Sequence, residues 1–336
     1  MSIQRVPLGD VRKHLRLPCG LFVCSSSFET RCLSIPRTLC RGDFAKALIL
    51  VNTDRLSYVK ENRDLLLDHF SSAAQVVDIQ IQDPLQTADR LCSALVSARS
   101  AGEVPEIVVD VTTFTHESLL ILLKLLQIHF SESSVTVVYA SASEYSVGDA
   151  IEDKWLSKGV VCVRTVLGYP GTVLPSRQTH LVLLVGYEHQ RATRLIEILE
   201  PSSLSLGYGK PGSTTTDKDK DASRHYAELV KRTAGFCTEV TTFEFSCNDP
   251  FETRDIILRQ CTRNSGKNIV LAPMSNKMST IGAALAAFSR ESIQVCYAPA
   301  LHYNYAGYSQ PSGWAYVVHF PNGFSQTITT LVKGTG

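Results

Sequence analysis

A long internal repeat constrains this chain more than any other feature. Residues 135–140 (VTVVYA) are answered by residues 293–298 (IQVCYA), and Tyr145 by Tyr303. Residues 83–87 (DPLQT) are answered by 249–253 (DPFET), and 107–110 (IVVD) by 269–272 (IVLA). The offsets drift little: 249 − 83 = 166, 269 − 107 = 162 and 293 − 135 = 158. A period of this size is a whole domain and not a solenoid unit. The chain of 336 residues therefore reads as two like domains. We expect residues 1–168 and 169–336, with the boundary in the Gly- and Pro-rich stretch 168–175 (GYPGTVLP).

Each half alternates short apolar runs with helical stretches. In the first half the runs are 21–24, 47–51, 76–81, 106–110 and 135–139; in the second they are 180–185, 204–206, 239–245, 268–271 and 293–297. A further run closes each half, at 159–165 and 314–319. Short Val, Ile and Leu runs without strict alternation suit strands buried on both faces of a parallel sheet. The expected fold class is α/β, a tandem duplication of a Rossmann-like parallel-sheet domain forming a pseudo-dimer. Residues 207–221 (GYGKPGSTTTDKDKD) are polar and Gly-rich, and we expect a flexible exposed loop there, either solvated or acting as a lid.

Composition excludes several classes. Hydrophobic residues are 44% and charged residues 19% of the chain, as in a globular protein. The net charge of +1 argues against binding long nucleic-acid tracts. No apolar run is long enough to span a membrane, and the first ten residues lack an apolar signal core. The ten cysteines contain no CxxC pair, so neither a metal site nor any other cofactor is expected, and the location expected is the cytoplasm. The GxGxxG, GxxxxGK[ST] and GxSxG signatures of nucleotide and hydrolase chemistry are missing from the positions that would need them.

Ligands of open α/β sheets bind beyond the carboxyl ends of the strands. Four polar segments fall there. After the first strand come Ser25, Ser26, Ser27, Glu29 and Arg31, matched by Gly186, Glu188, His189 and Arg191. After the fourth come Thr112, Thr113 and His116, matched by Ser275, Asn276, Lys277 and Ser279. Helix starts offer unpaired N–H groups and partial positive charge to a phosphate, and Arg or Lys supplies full charge. The same Ser, Thr and Asn residues are also ordinary helix caps, and each Arg can pair with its neighbouring Glu. Tyr145 and Tyr303 after strand five either stack on a base or pack internally.

Residues 275–279 (SNKMS) resemble the Ser/Thr-x-Lys-x-Met loop of the CRISPR-associated Rossmann-fold domains known as CARF. The tandem form is similar to SAVED, a fusion of two CARF-like units. The resemblance implies a sensor or regulatory subunit that binds a nucleotide, such as a cyclic oligonucleotide, or another phosphate-bearing ligand. It would act in an antiviral defence assembly through a separate protein effector. The alternatives it leaves are a nucleotide-directed enzyme (a ring nuclease or a ribosyl-transferring type) and a scaffold with a degenerate site. For the enzyme, Lys277 would stabilise charge, with Ser275 or His116 positioning the reacting atoms. The missing catalytic signatures point to binding instead.

Overall fold

The structure, a computed structural model, describes residues 3–99, 106–146, 155–213 and 217–324, without side chains over 217–223. The strands are β1 (Ile3–Pro7), β2 (Cys19–Ser25), β3 (Phe44–Asn52), β4 (Ala74–Ile79), β5 (Ile107–Asp110), β6 (Val135–Tyr145), β7 (Ser157–Val160), β8 (Arg164–Pro170), β9 (Thr179–Val185), β10 (Ser203–Gly209), β11 (Glu239–Phe245), β12 (Asn268–Met274), β13 (Gln294–Tyr297), β14 (Ala300–Tyr303) and β15 (Ser309–Phe324). The helices are α1 (Val11–His14), α2 (Leu56–Phe70), α3 (Pro84–Ala98), α4 (His116–His129), α5 (His189–Leu199), α6 (Asp217–Thr233), α7 (Pro250–Arg263) and α8 (Lys277–Ser289).

Two α/β units carry the expected duplication. One sheet has the order β1-β15-β6-β5-β2-β3-β4 and the other β11-β10-β9-β12-β13-β8. Read from its outer parallel strand, each begins with the third, second, first, fourth and fifth strand of its own repeat. These strands pair in parallel, as buried Val, Ile and Leu runs predict. The central strands β2 and β9 are buried along nearly their whole length.

The Asp-Pro repeat proves to be a helix-starting device. Asp83 caps α3 by accepting the Gln86 N–H at 2.9 Å, and Asp249 caps α7 by accepting those of Phe251 and Glu252 at 2.8 and 3.1 Å. Pro84 and Pro250 occupy the first helical position, where no intrahelical N–H bond is lost. Thr87 and Thr253, one turn on, donate back to the carbonyls of Gln80 and Ser246 at 2.9 and 2.6 Å. Each motif thus fixes the turn from the third strand into its helix.

The units divide the chain differently from the boundary expected at residue 168. Unit 1 is residues 1–143 with 309–336, and unit 2 is residues 144–308. The reason is the last strand of each sheet. β8 follows the first repeat but pairs antiparallel with β13, the fifth strand of the second. β15 follows the second repeat but lies beside β6, the fifth strand of the first. Side-chain bonds Thr136–His319, Ser141–Ser312 and Ser143–Gln310 run in opposite directions along β6 and β15, so this pair too is antiparallel. The stretch 168–175 is not a linker at its start, because Gly168 to Pro170 lie within β8.

The flexible loop expected at 207–221 is also corrected. Gly207 to Gly209 end β10, and Asp217 to Asp221 begin α6. Gly207 is needed there because a Cβ would meet the Phe243 ring at 2.7 Å. Lys210 binds both carboxylate oxygens of Glu252 at 2.6 Å, and Ser213 accepts the Cys247 N–H at 3.0 Å. Residues 214–216 lie outside the described residues.

Candidate functional site

At the carboxyl end of each sheet stands the same buried clamp. In unit 1, Arg31 donates from Nε and Nη2 to Glu29 Oε2 at 3.1 and 2.6 Å, from Nη1 to the Ala140 carbonyl at 3.1 Å, and from Nε to Ser309 Oγ at 2.9 Å. Ser309 also donates to Glu29 Oε2 at 2.5 Å. In unit 2, Arg191 donates from Nη1 to Glu188 Oε2 at 2.5 Å, from Nε to the Ala298 carbonyl at 2.7 Å and from Nη1 to Ser157 Oγ at 3.2 Å. Ser157 in turn donates to Glu188 Oε2. Ala140, within β6, and Ala298, directly after β13, are corresponding residues of the fifth strands, 298 − 140 = 158 apart. Each arginine therefore holds four things at once: its own glutamate, a fifth-strand carbonyl, a serine, and through that serine an entering strand.

The electrostatics follow from burial. Arg31 and Arg191 are 3% and 2% exposed. Burial works against the Arg191 charge, but Glu188, with Tyr297 and Tyr303, outweighs it and leaves the guanidinium more firmly protonated than usual. Both pairs are the kind in which charges survive burial only because each is paired and hydrogen-bonded. Of the two uses the sequence leaves open for Arg31 and Arg191, the structure displays the internal one.

The serines and threonines of unit 1 are similarly engaged. Ser25 and Ser26 donate to the carbonyls of Ser26 and Val59 at 3.4 and 3.3 Å, and Ser27 Oγ accepts the Glu29 N–H at 3.2 Å. Thr113 Oγ donates to the Ser25 carbonyl at 2.8 Å, tying the first-strand loop to the fourth-strand loop. His116 is buried as the first residue of α4, behind the cap Thr115.

Asp110 is the residue whose importance sequence reasoning missed. It ends β5, is fully enclosed, and accepts the Thr112 N–H at 3.0 Å together with the Thr112 hydroxyl. Thr112 Oγ accepts the Ala140 N–H at 2.9 Å, so Asp110 is wired to the same fifth-strand residue whose carbonyl Arg31 holds. Burial pushes its carboxyl up to about 7, against the Thr112 hydrogen bonds and the Arg31 charge. The counterparts at the same offset of 162 are Ala272 and Met274, which carry no such group. Ser157 and Ser309 were missed as well. Each lies far along the chain from its arginine, and no local pattern marks it.

Unit 2 is different at the fourth-strand turn. Asn276 caps α8 by accepting the Ser279 N–H at 2.9 Å, while Ser279 Oγ accepts the Asn276 N–H at 3.2 Å. Asn276 also donates to the Cys247 carbonyl at 2.5 Å. Lys277 is the first residue of α8, and Ser275, Asn276 and Lys277 are half-buried. Gly186 lies against this turn, since a Cβ there would meet Ser275 Cα at 2.9 Å. Tyr145 packs on Tyr187, Tyr187 on Tyr226, and His189 stacks on Tyr226 at 4.6 Å between ring centres. Tyr303 packs with Tyr305 and Tyr308. Both tyrosines thus belong to unit 2.

Among the described residues no group of three or more His, Cys, Asp or Glu side chains is placed to hold a metal ion, and no helix is long and apolar enough to cross a membrane. No protein-family model matches the chain, and no curated protein matches it. Among solved structures, the chain is similar to a periplasmic ribose ABC transporter from Conexibacter woesei DSM 14684, with 12% sequence identity and a TM-score of 0.21, over 73% of this chain and 69% of that one. The expected nucleotide sensor of an antiviral defence assembly is corrected by that comparison: the match is to a ribose transporter and not to a nucleotide sensor. The clamps engage both arginines that were offered as charges for a phosphate. At a TM-score of 0.21 the likeness assigns no ligand of its own.

Proposed function

We propose that this chain is a small-ligand-binding protein whose site is the carboxyl edge of the unit 2 sheet, and that the ligand bears a phosphate or a carboxylate. One observation supports this reading above the others. The two units share the clamp but diverge at the turn after the fourth strand, where unit 1 has the enclosed Asp110–Thr112 pair and unit 2 has Ser275, Asn276 and Lys277 at the start of a thirteen-residue helix. A cation beside a helix start favours an anion. The kinship with CARF and SAVED domains is proposed for the scaffold alone. It is supported by the strand order of each sheet and by the antiparallel sixth strand. A cytoplasmic location is proposed on the ten free thiols.

The test is calorimetric titration of the whole protein with inorganic phosphate, a nucleoside monophosphate, a sugar phosphate and a dicarboxylate. Removing one charge-assisted contact by Lys277→Ala should weaken binding roughly 10- to 100-fold. Absence of binding across the panel, or equal binding by the variant, overturns the proposal.

A further inference from the structure

The ten cysteines fall into different chemical settings. Burial pushes the thiols of Cys19, Cys32 and Cys261 up to about 12 and that of Cys296 to about 11, and it holds Cys24 well above its ordinary value. Such thiols are inert at neutral pH, because the thiolate is the nucleophile. Cys92 is placed otherwise. It lies on α3, half-buried, with its Sγ 3.5 Å from Nε2 of His129, which is the last residue of α4 and is half-buried too. An imidazole within reach of a thiol can take its proton and leave the thiolate.

A cavity adjoins the pair, and His129, not Cys92, opens on it. His129 lines a cavity of about 280 Å³ together with Arg99, Phe130, Ser131, Glu132 and Ser133. Arg99 donates to the His129 carbonyl at 3.3 Å and lies over the Phe130 ring, so its guanidinium is held beside the pair. Arg99 and Glu132 are the charged groups of this cavity. The pair is in unit 1, at the amino edge of its own sheet.

We propose that Cys92 and His129 form a reactive thiol site that is modified by low-molecular-weight disulfides carrying a carboxylate. His129 takes the thiol proton. The Cys92 thiolate attacks one sulfur of the disulfide, a new S–S bond forms to Cys92, and the old S–S bond breaks. The departing thiolate takes the proton from His129 and leaves as a thiol, so protons and electrons balance without a further oxidant. Arg99 attracts the carboxylate.

The experiment uses the whole protein and oxidised glutathione as the probe, with the modified cysteine located and its rate measured by peptide mass spectrometry at neutral pH. Cys92 is expected to form the mixed disulfide faster than exposed Cys40. His129→Gln is expected to slow it roughly tenfold or more while leaving the Cys40 rate unchanged. A circular dichroism spectrum and melting curve of the variant, matching the parent, show that the loss is chemical. If they do not match, the parent's own Cys92-to-Cys40 rate ratio decides. Modification of Cys92 no faster than Cys40, or a rate indifferent to His129 in a folded variant, overturns the proposal.

Discussion

Asp110 shows how a single side chain can set the pH response of a unit. Its carboxyl is pushed up to about 7 by burial, although the Thr112 hydrogen bonds and Arg31 pull the other way. An acid whose folded pKa exceeds its unfolded one binds more protons when folded. Its stabilising contribution is then complete at acid pH and is lost as pH rises through about 7. Unit 1 should therefore melt at a lower temperature at about pH 8 than at about pH 5, and Asp110→Asn, which cannot ionise, should flatten that slope. Differential scanning calorimetry across the range checks it; an unchanged slope in the variant means that other groups set the response. Unit 2 has Ala272 in this place and carries no such group there.

At the scale of elements, close approaches decide where small residues must sit. Gly282 lies in the middle of α8, where glycine costs a helix about 1 kcal/mol relative to alanine. It is kept because α7 comes so near that a Cβ would meet the Pro250 carbonyl oxygen and Thr253 Cβ, both at 2.8 Å. The two terms have opposite signs, and the clash is expected to win. Gly282→Ala should destabilise unit 2 by about 1–3 kcal/mol, read as a lower melting temperature, instead of gaining the propensity difference. The same contrast explains what the sequence made legible. Apolar runs located the parallel core strands within a few residues, because that signal is local. The polar loops after the first and fourth strands and the pairing of each Arg with its neighbouring Glu were legible, but the partners distant along the chain were not. Arg31 bonds Ser309 across 278 positions, and spacing along a chain says nothing about such a bond. The Gly-rich stretch 207–221 misled because Gly207 serves tight packing against Phe243 at the end of β10. The edge strand β1 went unseen, being only half apolar and five residues long.

At the scale of the whole molecule, the path of the chain matters more than the repeat itself. The repeat suggests two halves cut near residue 168, yet each sheet takes its sixth strand from beyond its own repeat. A fragment of residues 1–168 lacks β15, and with it the enclosed Ala315, Val317, Val318, Phe320 and Phe324. Leaving that apolar surface of the sheet uncovered costs several kcal/mol at about 25 cal/mol per Å². Residues 144–308 contain all of unit 2. Expressed separately, 144–308 should give a cooperative melt and protected amides, whereas 1–168 should be unfolded or aggregated. A stable, cooperatively melting 1–168 fragment would show that β15 is dispensable.

The entering serine strands also impose an order in time. Unit 1 starts first on the ribosome but cannot close its sheet until the residues after 308 have emerged. Unit 2, contiguous from 144 to 308, is finished earlier. Between the end of the first segment of unit 1 and the start of its second lie 308 − 143 = 165 residues. At synthesis rates of about 5–20 residues per second that is roughly 10–30 seconds. During that interval the nascent β6 exposes an unpaired edge, the kind of surface that recruits chaperones or misfolded neighbours. The unit that begins first is completed last.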